Sequence, residues 1–213
     1  MIKIKPFFIV KFKKLQKYIY FSLHKNYMGM DFTTRLKPIC KMNLRNACCV
    51  ASNFQNMRVC DSNLYKTNFE KANFDCAYID NLYADKTNFR NANLKNVTIF
   101  WISCENANFK DADLTESKLG TIAFYNGNFK NTCFVSSDII DVSFDKSNLT
   151  NANFNGAKFM RTSFKDTNLT GVDFRNTEGI ERVDFTNAII KNTKFPDGFN
   201  PFVFFYSESL KFD

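Results

Sequence analysis

Apolar residues recur at every fifth position over more than half of this chain. From Leu44 to Phe174, all 27 positions spaced by five residues are apolar, and 13 of them are Phe and seven are Leu. A β-strand would place apolar residues at every second position, and an α-helix would place them three or four residues apart. A strict five-residue period instead indicates a repeat array in which each short unit covers its neighbour.

The residues that flank these positions also follow a pattern. If each apolar position is called a centre, the residue two places before it is small in 22 of 27 repeats, and the residue one place before it is Asn or Asp in 15 of 27. Ala72-Asn73-Phe74 and Ala107-Asn108-Phe109 are clean copies. In this motif the chain resembles the pentapeptide-repeat family, whose repeat reads A-[D/N]-[L/F]-x-x. The resemblance covers residues 39–174 without a gap and resumes from Ile180 to Phe195 after a slip of one residue near Glu178.

The resemblance implies an all-β solenoid, a right-handed quadrilateral β-helix of about eight coils with four pentapeptides in each coil. The centres would fill the axis of the coil, the small residues would pack beside them, and the two remaining positions would face solvent. The centres assigned to this structural axis are Leu44, Phe54, Leu64, Phe69, Phe74, Phe89, Leu94, Phe109, Leu114, Leu119, Phe124, Phe129, Phe134, Phe144, Leu149, Phe154, Phe159, Phe164, Leu169 and Phe174.

Irregular repeats support a coil of twenty residues independently of the resemblance. Residues twenty apart would stack in columns at the spacing of neighbouring strands, about 4.8 Å. The column of small positions that passes through Ser62 holds Leu82, Ile102 and Ile122, and the centres beside the first two are the small residues Ala84 and Cys104. This compensation is expected if the volume of the interior is conserved.

We expect three parts along the chain. Residues 1–38 form a basic, apolar N-terminal capping segment with a helix at 11–23, residues 39–195 form the β-helix, and residues 196–213 form a C-terminal cap or dimerisation segment. Four roles stay open for the N-terminal segment. It could cap the solenoid, cover an aromatic face of the rod, bind an anionic membrane surface or contact nucleic acid.

The net charge of +8 is confined to the N-terminal segment. Residues 1–37 contain nine Lys or Arg and one acidic residue, whereas the rest of the chain contains 20 of each sign. The first residues lack the apolar core and cleavage site of a signal peptide, and no stretch is long enough to span a membrane. The seven Cys show no metal-binding spacing. Only Cys40 and Cys60 share a column, where a disulfide is geometrically feasible, but we expect reduced thiols and a cytoplasmic protein.

The sequence offers no catalytic constellation. His24 is the only His, and no phosphate-binding loop, nucleophile elbow or zinc-binding helix motif is present. Asp85, Glu105 and Asp145 share one column, and lysines in the next column would neutralise them as a solvated salt-bridge face. We therefore expect a protein that is not an enzyme, with no cofactor, metal or small-molecule substrate.

Two groups of apolar residues are candidate interaction sites. The first is a partner surface on the outside of the rod, since outward aromatic residues are typical of protein interfaces; it comprises Tyr78, Tyr83, Phe100, Trp101, Ile140 and Met160. The second is a C-terminal cap or homodimer interface, and dimerisation through such an end segment is implied by the resemblance; it comprises Phe199, Phe202, Phe204, Phe205, Tyr206, Leu210 and Phe212.

These features favour a non-enzymatic module that binds or scaffolds an unidentified protein. One alternative, implied by the quinolone-resistance branch of the family, is a DNA mimic that modulates a type II topoisomerase such as gyrase. The neutral rod disfavours it, because a DNA mimic needs a surface with dense negative charge. A second alternative is a peripheral membrane protein that is anchored by the basic N-terminal helix.

Overall fold

A computed structural model describes residues 26–33 and 39–201 of the chain. Within them, seven parallel strands form one sheet in chain order, and each strand pairs with the residues twenty positions later. The strands are β1 (Ile39–Cys40), β2 (Arg58–Cys60), β3 (Tyr78–Tyr83), β4 (Thr98–Ser103), β5 (Lys118–Ala123), β6 (Asp138–Ser143) and β7 (Lys158–Met160), followed by a 3-10 helix at Ile180–Arg182. The pairing offset shows a coil of twenty residues, so the solenoid has the four-sided β-helix architecture that the sequence predicts.

Short turns form most corners of the coil. The centre carbonyl accepts a hydrogen bond from the backbone N–H three residues later, as from Ala47 to Leu44 (2.8 Å) and from Ala77 to Phe74 (2.9 Å). The second residue after the centre has a positive φ in coil after coil, such as 58° at Asn46. Asn tolerates this left-handed conformation better than most residues, which explains why Asn is frequent at this variable position.

The interior of the coil is a column of apolar side chains. All 27 centres from Leu44 to Phe174 are buried. Rings one coil apart stack in parallel, as Phe134 does on Phe154 (centroids 4.6 Å apart, planes 1° apart), while rings on adjacent sides meet edge to face. Both arrangements are favourable for aromatic pairs, so the repeated Phe supplies a continuous core along the axis.

Asn side chains form ladders on the outside of the coil. The Asn88 amide donates to Asn68 Oδ1 (2.8 Å), and the Asn108 amide donates to Asn88 Oδ1 (3.0 Å). Asn88 Oδ1 also accepts a bond from the backbone N–H of Arg90 (3.2 Å). The Asn before each centre therefore links neighbouring coils and steadies the next turn, because its side chain is both donor and acceptor.

The solenoid begins before the boundary that we placed at residue 39. Tyr27 and Phe32 are buried, and the Phe32 ring stacks on Phe54 with centroids 4.4 Å apart. These residues pair at an offset of 22 rather than 20, as in the bridge between Asp31 and Asn53, so the five-residue register does not continue across residues 34–38. The predicted helix at 11–23 lies outside the described residues.

The register also changes near the C-terminal end. Lys158 pairs with Glu178 at an offset of 20, whereas Ser163 pairs with Asp184 at an offset of 21. The extra residue lies at the 3-10 helix, which follows Gly179 with a φ of 75°. A side chain at Gly179 would collide with the backbone of Phe159, so glycine is required where the coil absorbs the insertion.

One pair of thiols differs from the reduced state that we expected. Cys40 and Cys60 are partners in the register of β1 and β2, with Cα atoms 4.5 Å apart, and they form a disulfide. Parallel pairing places two side chains of one column side by side, within the range that a disulfide requires. The other five Cys are free.

Candidate functional site: a groove beside Trp101

One corner of the coil differs from the other three. Strands β3, β4, β5 and β6 each run for six residues around this corner, whereas the other corners are two-residue turns. Leu82, Ile102, Ile122 and Val142 point inward beside the corner and are buried. The side that follows therefore has a bulky apolar interior and a continuous extended backbone.

A shallow groove of about 690 Å³ follows this side of the rod. On two of the other sides the residue before the centre is mostly Asn or Asp, but here the corresponding positions are Ser103, Ala123, Ser143 and Ser163. Short side chains in consecutive coils leave a trough between the corner and the next column. Tyr83 stands at one end of this row and is 69% exposed.

Trp101 forms the wall of the groove at the corner. It is the only Trp in the chain, its side chain is 61% exposed, and its φ is 54°. Among the described residues with positive φ it is the only aromatic, and Thr121, one coil away in the same column, is the only β-branched residue. Such conformations cost free energy for large or branched residues, and an exposed indole recovers little of it by burial.

An ion pair stands at the far end of the groove. Arg161 donates from Nη2 to Asp141 Oδ2 (2.7 Å) and from Nε to Asp141 Oδ1. The hydrogen bonds and charge of Arg161 lower the pKa of Asp141 below its usual value. This bidentate geometry orients both side chains along the corner, so the groove has an aromatic end and an ionic end.

The match to a family of known sequences agrees with this architecture. The model of the family described as Pentapeptide repeats matches eight copies over residues 137–176, and the same repeat continues through the buried centres of the preceding coils. The chain therefore contains pentapeptide repeats. A comparison with curated protein sequences gives no significant match.

Three solved structures are similar to this pentapeptide-repeat protein. HetL, involved in heterocyst differentiation regulation in the cyanobacterium Nostoc, is 17% identical over 83% of this chain and 93% of its own, with a TM-score of 0.37. Full-length QnrB1, a plasmid-mediated fluoroquinolone resistance protein, is 13% identical over 88% and 97%, with a TM-score of 0.41. A pentapeptide repeat protein from the Arabidopsis thaliana thylakoid lumen is 22% identical over 72% and 68%, with a TM-score of 0.20.

The predicted partner surface of the pentapeptide-repeat protein divides at the corner. Phe100, Ile140 and Met160 lie in one column on the outside of β4, β6 and β7, with Gly120 between the first two. Met160 is exposed, whereas Phe100 and Ile140 are half-buried. We call this column the ridge. It lies on the opposite side of the corner from the groove.

The remaining surface residues fall on both sides of the corner. Trp101 and Tyr83 line the groove. Tyr78 lies on the ridge side, where the Arg58 guanidinium stands over its ring at 5.3 Å and also pairs with Asp80 (3.1 Å). Tyr78 therefore belongs to a local cation–π contact rather than to the groove.

The groove itself escaped the sequence analysis. Its floor consists of small polar residues, and its ionic end requires that Asp141 and Arg161 stack one coil apart. A signal was nevertheless present, because the Asn or Asp before the centre is replaced in consecutive coils by Tyr83, Ser103 and Ala123. What distinguishes this column from the other interrupted one, which holds Arg58, Tyr78, Thr98 and Lys118, is that its residues become short from Ser103 onward.

A column of carboxylates flanks the groove. Asp85 Oδ1 accepts bonds from the Ser103 hydroxyl (2.6 Å) and from the Glu105 backbone N–H (2.9 Å), and Asp145 Oδ1 makes the same pair of contacts with Ser163 and Lys165. In the described part of the chain, no salt bridge involves Asp85, Glu105 or Asp145. The neighbouring lysines stand over tyrosine rings, namely Lys66 and Lys86 over Tyr65 and Lys146 over Tyr125. The pKa of Lys146 is raised first by its hydrogen bond with Tyr125 and also by the charges of Asp166 and Asp145, so this lysine offsets the column without a close ion pair.

Of the C-terminal candidate residues, only Phe199 lies in the described part of the chain. Phe199 is half-buried and packs on Phe195 with ring centroids 5.3 Å apart. Phe202, Phe204, Phe205, Tyr206, Leu210 and Phe212 lie outside the described residues. Across residues 26–33 and 39–201, no helix has the length and apolarity needed to cross a bilayer, and no cluster of three metal-ligating side chains occurs.

Proposed function

We propose that this pentapeptide-repeat protein is a non-enzymatic binding module that holds another protein in the groove beside Trp101. The observation that carries the proposal is the position of Trp101 itself. An exposed indole on a left-handed backbone contributes little to the fold and costs strain, which is typical of residues kept for recognition. Trp is also the residue type most often found at the energetic centre of protein interfaces.

The shape of the groove favours an elongated segment as the ligand. It crosses the coils from Asn81 to Ser163, so it runs along the rod, and at about 4.8 Å per coil it is about 19 Å long. Its floor combines apolar area with hydroxyl groups, and Trp101 and Tyr83 offer flat rings at one end. A peptide segment with an apolar anchor and polar neighbours fits this pattern better than a compact small molecule.

Chemistry at the groove has no support from the arrangement of its side chains. Asp141 is held by Arg161, and Asp85 and Asp145 orient backbone turns. A general acid or base would need a group that is free to exchange protons with a substrate. The same residues serve naturally as the polar rim of a binding site.

The test compares three forms of the full chain. Wild-type protein, Trp101→Asn and Lys95→Ala are immobilised and used to capture partners from the host extract. Asn is chosen because it is well tolerated at positive φ, and Lys95 lies on a different side of the rod. A protein that is captured by wild type and Lys95→Ala but not by Trp101→Asn supports the proposal, once the purified partner is shown to change the fluorescence of Trp101. Equal capture by all three forms overturns it.

A further inference from the structure

We propose that two copies of this chain pair through the side of the rod that carries the ridge, with antiparallel rods and a twofold axis between the levels of Gly120 and Ile140. This surface goes beyond the proposed function, because it does not include the groove. It also differs from the pairing through the C-terminal segment that the resemblance implies. Pairing would cover the exposed side chains of Tyr78 and Met160, and uncovered apolar patches are uncommon on monomeric proteins.

Two columns point outward on this side of the rod. One is the ridge. The other lies before the inward centres and contains Thr98, Lys118, Asp138 and Lys158; we call it the polar column. When two copies face each other with antiparallel rods, each column meets the same column of the second copy in reverse order. A twofold contact is isologous, so every pair of residues occurs twice.

The polar column brings opposite charges together around this axis. Lys118 lies opposite Asp138 of the second copy, and Asp138 lies opposite its Lys118. Lys118 is exposed and Asp138 is half-buried, and among the residues that the structure describes neither takes part in a salt bridge. The two residues are also neighbours one coil apart within each chain. The four side chains therefore form a ring of alternating charge, which gives the surface electrostatic complementarity to itself.

The same axis matches the apolar residues of the ridge. Phe100 lies opposite Met160 of the second copy, and contacts between a thioether and an aromatic ring are favourable. Ile140 lies opposite Gly120, where the Phe100 ring covers the backbone in place of a side chain. Ile140 can thus pack on the face of that ring without meeting a side chain at position 120.

Other arrangements of the two copies fit less well. With parallel rods the two columns would exchange places, and Lys118, Asp138 and Lys158 would be buried against the ridge at a cost in free energy. With antiparallel rods and the axis at the level of Asp138, Lys118 would lie opposite Lys158 of the second copy. An axis between Ile140 and Met160 would leave Phe100 without a partner on the ridge.

The proposed interface leaves the groove open. Trp101 lies at the corner where the side with the ridge ends, and the groove follows on the next side of the rod. In the antiparallel pair this corner lies at the same edge of the interface in both copies, so the two grooves face the same way. Capture of a partner by wild type but not by Trp101→Asn therefore tests the binding function whether or not the dimer forms.

The first test exchanges charges in the polar column of the full chain and measures the dimer by sedimentation equilibrium. The surface is narrow, and interfaces below about 1,200 Å² are commonly weak, so protein concentrations of about 10–500 µM are used. We expect the wild type to dimerise, and Lys118→Asp and Asp138→Lys should each raise the dissociation constant at least about tenfold by setting like charges opposite one another. An equimolar mixture of these two variants should form a heterodimer, because each Asp then faces a Lys.

The control for this test is Lys130→Asp, which changes an exposed lysine on another side of the rod and should dimerise as the wild type does. Equal urea midpoints show that all the variants are folded. Three results would each overturn the proposal: a wild type that stays monomeric over the whole range, single variants that dimerise as well as the wild type, or a mixture that associates no better than its components.

The second test determines the direction of the two rods. Thr98 lies opposite Lys158 of the second copy in the proposed dimer, and packed sheets are about 10 Å apart. A short bismaleimide should therefore join Thr98→Cys to Lys158→Cys when the two variants are mixed, and mass spectrometry with one chain isotopically labelled locates the link. Links between like positions, or no link between positions 98 and 158 of different chains, would contradict the antiparallel dimer.

Discussion

The ring of Phe100 lies on the backbone of Gly120, its partner in the parallel register of β4 and β5. A methyl group on Gly120 would overlap the edge of that ring. The φ of Gly120 is not positive, so the glycine is needed for space rather than for conformational freedom. This contact keeps Phe100 half-buried and holds it against Trp101, with ring centroids 6.1 Å apart.

Replacing Gly120 by Ala should therefore destabilise the protein through Phe100. We expect a cost of about 1–2 kcal/mol in the free energy of unfolding, because the ring must move outward. In a Phe100→Ala background the same change should be neutral or slightly stabilising, since Ala costs less chain entropy than Gly in a strand. Urea unfolding of the four proteins measures the coupling. Additive effects of the two substitutions would show that the ring does not rest on Gly120.

A charged residue at a centre should be far more damaging than a change on the surface. Phe129 is fully buried and stacks on Phe109 with centroids 5.0 Å apart, so Phe129→Asp removes a ring and buries a charge. We expect a loss of more than about 4 kcal/mol. Lys95→Ala removes only an exposed ion pair with Asp113 (3.2 Å) and should cost less than about 1 kcal/mol. Similar urea midpoints for the two variants would contradict the inward and outward assignment of the repeat.

The five-residue pattern predicts the solenoid because the side chains of the centres can be buried only along the axis of the coil. A side chain that recurs once on every side of a narrow coil must enter the axis, so Phe109, Phe129 and Leu149 could be assigned without a structure. The recurrence at twenty also places Ile79, Ile99 and their successors on one side. Compensation of volume was visible at Ala84 and Cys104, and the void that remains beside them is about 10 Å³.

Features that depend on neighbours in space were harder to predict. The sequence predicts an exposed aromatic side chain at Phe100. Because Gly120 has no side chain, however, the Phe100 ring packs on the backbone of Gly120. The first coil was missed because Tyr27 and Phe32 pair at an offset of 22, which breaks the period used to find the repeats. The groove was missed because a concavity is made by short side chains, which leave no apolar signal.

Reduction of the Cys40–Cys60 disulfide should loosen the first coils without unfolding the rod. The two residues are twenty apart, and closing a loop of this size stabilises a protein by about 3 kcal/mol in the chain-entropy account. Repeats contact only their neighbours, so the effect should stay local. Hydrogen exchange of the amides at 41–60 should speed up after reduction, and in Cys40→Ser, but not in Cys133→Ser. Unchanged exchange in both treatments would show that the crosslink adds nothing to the coil.

Acid should weaken the protein through its paired carboxylates. Hydrogen bonds from Arg175, Arg161 and Asn96 lower the pKa values of Asp173, Asp141 and Asp75 respectively. A group with a lowered pKa in the folded state stabilises the protein above its unfolded pKa of about 3.9, and this stabilisation is lost as the pH falls through the folded pKa. The urea midpoint should therefore be lower at pH 3 than at pH 7. Asp173→Asn should reduce the difference between the urea midpoints at pH 3 and pH 7. An identical difference in the variant would exclude a contribution of the Asp173–Arg175 pair.

The Asn ladder can be tested with two substitutions in one column. Asn88→Asp keeps the acceptor for the Arg90 N–H but loses the donor to Asn68 Oδ1 (2.8 Å), and it sets a carboxylate against that oxygen. We expect a cost of about 1–2 kcal/mol at neutral pH, which should shrink once the carboxylate is protonated. Asn128→Asp is the matched control, because the only side-chain hydrogen bond that the described structure records for Asn128 is the one that its Oδ1 accepts from the Lys130 N–H (3.3 Å). Equal losses at the two positions would mean that the amide ladder does not contribute to the cohesion of the coils.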